Sequence, residues 1–224
     1  MDPCKKILIV EDHPIFRMGL SELINREQDL EVCGYAMDVS EAWRMIEKNK
    51  PDMVITDISL ENSDGLDLVK KINNHYKDLP VLILSMHDEF VYAERALRAG
   101  ARGFIMKHEA LEVVVEALRQ AIDGKLYLSE KIKDHILSNY VVRSHSKSEQ
   151  SLERLTDREL EVFKMIGQGY RTRDIADKLF LSVKTIGTYR ERIKKKLNVK
   201  HANELVSYAV HWYKDGSVNP SPKS

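Results

Sequence analysis

Five short apolar runs punctuate the first half of the chain: Lys5–Val10, Glu31–Ala36, Asp52–Thr56, Val81–Ser85 and Arg102–Lys107. They are rich in Ile, Val and Leu and near-continuous rather than alternating, as strands buried on both faces are. Between them apolar positions recur at helical spacing over Pro14–Arg26, Ser40–Lys48, Leu66–Tyr76, Glu89–Ala99 and Ala110–Asp123. Pro14 suits the first turn of its helix, where a missing N–H costs nothing. Ser40 is placed as the N-cap of the next helix. Strands alternating with amphipathic helices predict an α/β domain, a parallel sheet covered on both faces by helices.

The pattern then changes. Ser129–Tyr140 fits one more helix, and Arg143–Ser151 (RSHSKSEQS) is a polar stretch with little to bury. From Leu155 on only helical spacing remains: Asp157–Gln168, Thr172–Leu179, Val183–Leu197 and Ala202–Trp212. The expected organisation is an α/β domain over 4–123 and a linker with one helix over 124–151. A small all-α domain over 152–215 and a disordered tail over 216–224 follow.

Charge sharpens this division. The 224 residues carry 35 basic and 35 acidic side chains. Residues 1–123 hold 15 basic against 23 acidic, a net of −8, and the remainder is +8. Within 171–200 ten basic residues face three acidic ones. A basic module of this kind suits a polyanion such as nucleic acid, and equally a solvated helix face. A composition of 43% hydrophobic and 31% charged residues excludes a disordered or fibrous chain. No apolar run approaches the ~18 residues of a membrane span. MDPCKK leads only into the short run ILIV, which is no secretory signal. Cys4 and Cys33 make neither a disulfide framework nor a metal spacing, so a reducing cytoplasm is expected.

In an open parallel α/β sheet ligands bind beyond the carboxyl ends of the strands. The residues falling there are Glu11 and Asp12, Asp57, Ser85 and Lys107. Three carboxylates packed together repel, and a hard divalent cation such as Mg²⁺ relieves the repulsion. Lys107 neutralises one further anionic charge. The set suits a phosphoryl group held beside a carboxylate nucleophile. Asp57, alone on the central strand, is the best nucleophile, and Glu11 and Asp12 are better metal ligands. Singly, each has an ordinary reading as a helix cap or solvent-facing group.

The stretches VEDHPIFRMGL (Val10–Leu20), TDISLENSDGLDL (Thr56–Leu68), LS at the end of the fourth strand and GARGFIMK (Gly100–Lys107) resemble a CheY-like receiver domain. EDHP followed by FRxGL is similar to the NarL/FixJ class of two-component response regulators. The resemblance implies a flavodoxin-like strand order of 2-1-3-4-5. It makes Asp57 the phospho-acceptor, and Glu11, Asp12 and the backbone carbonyl of Ser59 further Mg²⁺ ligands. Lys107 becomes the phosphoryl contact, Ser85 the switch hydroxyl and Phe104 the switch aromatic. Two positions depart from the pattern. Glu61 stands where a proline is common, and Phe104, unlike the usual tyrosine, reports only through packing.

In the basic half, Phe180-Leu181-Ser182 separates two helices, with Ser182 as N-cap of the second, which is the helix-turn-helix layout. Val183, Ile186, Ile193 and Leu197 form one stripe, expected to face the core. Leu152–Val199 resembles the LuxR-type DNA-binding domain in its LTxRE opening, its GQG turn and its SVKTI start. Candidate DNA contacts on this helix are Lys184, Thr185, Gly187, Thr188, Arg190, Glu191, Arg192, Lys194 and Lys195. Gly187 lets the backbone approach a base or is simply a tolerated surface residue. Glu191 would repel phosphates unless it accepts from a cytosine amino group, so its role is specificity. A homodimer on inverted half-sites is expected, with Leu205, Val206, Ala209 and Val210 as a dimer face or as core.

The implied function is a DNA-binding transcriptional regulator switched by a sensor histidine kinase through Asp57. Its opposite halves predict salt-sensitive docking in the resting state. One alternative is an Mg²⁺-dependent phosphohydrolase, which needs a second acid two residues after the nucleophile, where Ser59 stands. Another is a ligand-sensing LuxR-type regulator, against which the intact acid edge counts.

Overall fold

The computed structural model describes residues 4–60, 63–87, 89–142, 152, 154–179 and 181–217. The chain divides into two compact units, Met1–Val142 and Arg143–Ser224.

In the first unit β1 (Lys5–Val10), α1 (Pro14–Asn25), β2 (Leu30–Ala36), α2 (Val39–Asn49) and β3 (Met53–Asp57) come first. A short antiparallel hairpin, β4 (Ser59–Leu60) with β5 (Ser63–Asp64), precedes α3 (Gly65–His75). Then follow β6 (Val81–Ser85), α4 (Glu89–Ala99), β7 (Gly103–Met106), α5 (Ala110–Ile122) and α6 (Glu130–Val142). The parallel sheet has the order β2-β1-β3-β6-β7, which is the 2-1-3-4-5 expected once the hairpin is set aside. Ile7 to Val10, Met53 to Ile55 and Val81 to Leu84 are buried, so the central strands carry no polar side for solvent. That burial stabilises the unit by about 25 cal/mol per Å² of apolar surface removed from water.

Pro14 does open α1. Ser40 does not cap α2: the cap is Asp38, whose carboxylate accepts from the Glu41 N–H at 2.7 Å. The Glu41 carboxylate in turn accepts from Met37 N–H at 2.8 Å. An aspartate with a glutamate three residues on satisfies more of the orphan N–H groups than Ser40 can, and the helix starts earlier for it.

The segment assigned to a linker is ordered through Val142. Tyr127 joins the outer edge of β7: Phe104 N–H donates to Tyr127 O at 3.1 Å and Tyr127 N–H to Arg102 O at 2.9 Å. Next, α6 packs on α4, with the Ser129 hydroxyl on Glu89 at 2.9 Å and His135 edge-on to Phe90 at 5.1 Å. The polar stretch 143–151, Glu61 and Phe180 lie outside the described residues, Leu152 starting the second unit's described part.

In the second unit the described residues include α7 (Asp157–Gly167), α8 (Thr172–Lys178), α9 (Val183–Leu197) and α10 (Ala202–Ser217). Its small core gathers Leu160, Phe163, Ile166, Ile175, Ile186, Ile193, Leu197, Leu205 and Ala209. Phe163 meets Tyr208 and Trp212 at ring distances of 5.6 and 5.5 Å. Leu205 and Ala209 are therefore core, while Val206 stays 38% exposed, so the suggested dimer stripe is split. The tail does not start at Gly216, because α10 runs through Ser217; a glycine weakens a final turn without breaking it.

Candidate functional site

Strand ends bring the chemistry of the first unit together. β1 delivers Glu11 and Asp12, β3 delivers Asp57, β6 ends at Ser85 and β7 runs into Lys107. Glu11, Asp57, Ser85 and Lys107 are all buried. Lys107 Nζ lies 2.6 Å from Glu11 Oε2 and 2.7 Å from Asp57 Oδ2, with the Phe16 ring 4.8 Å away. The second Asp57 oxygen accepts from Ile58 N–H at 2.6 Å. The Glu11 carbonyl accepts from Arg17 at 2.7 Å, which ties the start of α1 to the edge.

Burial pushes the Asp57 carboxyl above the ordinary carboxylate range, against the pull of Lys107. Burial also opposes the charge of Lys107, but Asp57 and Glu11 outweigh it and hold its ammonium above the ordinary lysine value. One cation shared by several carboxylates leaves the cluster short of positive charge. Glu11, Asp12, His13 and Asp57 can each offer an atom to a metal ion, all within 4.8 Å of one another. Among the described residues Asp12 Oδ1 is buried with no hydrogen-bond partner, and such an oxygen can serve as a ligand for a hard divalent cation.

Gly65 fits the site in a way composition did not reveal. A Cβ there would sit 1.8 Å from the Asp57 carbonyl oxygen, so only glycine lets α3 begin this close to the acceptor strand. The Asp-Gly pair before the helix was the available signal. Ser59 turns its hydroxyl to His87 Nε2 at 2.6 Å. Ser85 Oγ accepts from His87 N–H at 3.0 Å, and the His87 ring lies 4.9 Å from that of Tyr92. His87 thus links Ser59 and Ser85 to α4. Its place two residues after Ser85 was the only sign of it in the sequence. Phe104 is 2% exposed and packed in the core.

In the second unit Ser182 caps α9 as expected, accepting from Thr185 N–H at 3.0 Å. Ile186, Ile193 and Leu197 face the core, but Val183 is 50% exposed because the first turn of α9 projects beyond the packed layer. Lys184, Thr188, Glu191, Arg192 and Lys195 are exposed, and Gly187 is half-buried. Thr185 meets Ser182 hydroxyl to hydroxyl at 2.8 Å, and Lys194 Nζ pairs with Glu191 at 2.9 Å. Arg190 is half-buried, and burial pushes its guanidinium below its ordinary value. These three are thus partly engaged within the helix and its surroundings. At its far end α9 is fixed by Lys196 Nζ, 2.6 Å from the buried Glu159 carboxylate of α7.

Residues 7–119 match the response regulator receiver domain, and residues 153–209 match the luxR family of bacterial regulatory proteins. The oxygen regulatory protein NreC of Staphylococcus epidermidis is 36% identical over 210 residues, covering 92% of this chain and 96% of that relative. A crystal structure of a LuxR-family two-component response regulator from Aurantimonas superposes with a TM-score of 0.58 at 30% identity, covering 62% of this chain and 99% of that one. The Salmonella typhimurium RcsB response regulator, solved in a study of its DNA interaction, gives 0.57 at 25% identity over 94% of this chain and 100% of its own. No helix among the described residues is long and apolar enough to cross a membrane. With both domains matched in this order, the chain belongs to the two-component response regulators that join a receiver domain to a LuxR-type DNA-binding domain.

Proposed function

We propose that Asp57 accepts a phosphoryl group from a sensor histidine kinase and that this load controls operator binding by α9. One observation carries the reading: a buried carboxylate at the end of the central strand, with one oxygen on a lysine and the other on a backbone N–H, in a chain that also holds a helix-turn-helix. The Asp57 carboxylate forms an O–P bond as the N–P bond of the donor phosphohistidine breaks. The leaving imidazole takes its proton from solvent. Glu11, Asp12, Asp57 and the backbone carbonyl of Ser59 would hold Mg²⁺, which neutralises charge on the phosphoryl oxygens. Lys107 is already within reach of those oxygens through its contact with Asp57. The chain takes one phosphoryl group and does not turn over, since the position two residues after Asp57 carries a hydroxyl tied to His87, not an acid.

The load adds about −1.5 to −2 charge units. The Ser85 hydroxyl then turns to donate to a phosphoryl oxygen, and the already buried Phe104 repacks around the moved side chain. A shift of β6, α4 and β7 between two arrangements is the output. On DNA, Lys184, Arg192 and Lys195 serve phosphates, while Thr188 and Glu191 face base edges beside Gly187. Thr185, Arg190 and Lys194 support that surface from within the helix. A homodimer on inverted half-sites fits such a reader, with Val206 available for the contact.

Acetyl phosphate and Mg²⁺ supplied to the full chain should add one phosphoryl group by intact mass, absent in Asp57→Asn, and raise occupancy of a selected operator. No adduct at saturating metal, or equal occupancy with and without the load, overturns the reading.

A further inference from the structure

Among the described residues at the acid edge that can offer an atom to a metal ion, His13 is the one that offers a nitrogen. His13 Nδ1 lies 2.9 Å from Glu11 Oε1 and 2.7 Å from Asp12 Oδ1, while the rest of the ring faces solvent, 68% exposed. Core packing does not place the ring; the hydrogen bond between Nδ1 and Glu11 Oε1 does, and a metal ion would take the place of the proton they share. The contact with Asp12 Oδ1 lacks hydrogen-bond geometry, since that buried oxygen has no hydrogen-bond partner. The backbone fixes the arrangement from the other side. His13 N–H donates to the same Glu11 oxygen at 2.9 Å, and Pro14 opens α1 directly after it. A metal with bonds of about 2.1 Å at right angles sets neighbouring ligands about 3.0 Å apart, close to both separations around Nδ1.

We propose that His13 Nδ1 becomes a ligand when a first-row transition ion occupies this edge, which makes it a mixed nitrogen and oxygen site for such an ion. This rests on the reading of the edge as a metal-dependent phospho-acceptor site. Mg²⁺ prefers oxygen and keeps its waters, so with Mg²⁺ bound a water takes the place of the imidazole. A first-row transition ion such as Mn²⁺ gains from the nitrogen. The edge therefore binds Mn²⁺ more tightly than the carboxylates alone allow, and His13 sets that preference.

The test uses the full chain, stripped with chelator and loaded with Mn²⁺, read by pulsed electron paramagnetic resonance and by equilibrium titration. Wild-type protein should show nitrogen modulation from a coordinated imidazole. It should vanish in His13→Ala and persist in His87→Ala, which controls for the other nearby ring. Removing one ligand should weaken Mn²⁺ binding about tenfold or more and leave Mg²⁺ competition within about threefold. His13→Gln, with a melting curve on each variant, separates a lost ligand from a lost fold. Mn²⁺ bound without nitrogen coupling, or coupling that survives His13→Ala, overturns the proposal and leaves the metal site standing. Failure of wild-type protein to bind either ion overturns the metal site as well.

Discussion

Lys107 and Lys196 each end 2.6 Å from a buried glutamate, one in each unit. Around Lys196 the polar groups are matched. Glu159 accepts from Lys196 and from Thr156 N–H at 2.8 Å, and Thr156 accepts from Glu159 N–H in return, closing a capping box. Around Lys107 they are not matched: one ammonium serves Glu11 and Asp57, Asp12 stands beside them with an oxygen that makes no hydrogen bond among the described residues, and burial pushes the Asp57 carboxyl up. The same pair of groups is structural where the charges close and reactive where they do not. An unbalanced acidic cluster of this kind is one that can hold a metal ion.

Cutting the closed pair should do the most damage. Lys196→Met leaves the Glu159 carboxylate buried beside one N–H and should destabilise the second unit by about 2 kcal/mol, less than for a fully buried pair because Lys196 is a third exposed. Each unit has a single tryptophan, so urea unfolding followed through Trp212 in a Trp43→Phe background reads this unit alone. Unfolding unchanged within error would mean the pair is solvated and the contrast is false.

The open site should respond with the opposite sign. Asp57 titrates above its unfolded value near 3.9, so its contribution to stability is full below that pH and is lost as pH rises through the raised value. Asp57→Asn removes the penalty, and the first unit should be more stable than wild type at neutral pH in chelator. The gap should close as pH falls to about 4. Trp43 fluorescence in a Trp212→Phe background measures it, and a destabilised variant would show that Lys107 needs Asp57 more than burial penalises it.

Smaller effects are expected on the reading face. Glu191→Ala should erase discrimination at one base pair, about 1–3 kcal/mol, with little change in overall affinity. Binding to single-base operator variants decides it, uniform weakening being the contrary result. Gly187→Ala should stabilise α9 by about 1 kcal/mol, because the new methyl group meets nothing within 4 Å. If operator affinity falls while stability rises, the missing side chain serves the DNA and not the protein.

The sheet, its order and most helices were legible because buried parallel strands leave unbroken apolar runs and helices leave a 3.6-residue rhythm. The acid edge was legible because strand ends can be counted. The β4–β5 hairpin was not, since two-residue strands carry no period. Nor were the roles of His87 and Gly65, which depend on Ser59 and on the Asp57 carbonyl lying close by. Val183 misled because the stripe it belongs to by spacing runs past the end of the core it would fill. The Ser40 cap failed to a better local competitor, Asp38.

The pairing of Tyr127 with β7 bears on how this chain can be divided. A fragment ending at Asp123 would bare an outer strand with unsatisfied amide and carbonyl groups, a template on which other copies can add. Ending it at Val142 keeps the Tyr127 bridge on that border. The shorter piece should clump and the longer one stay dispersed, and any behaviour measured on the short piece would partly describe a wound made by the cut.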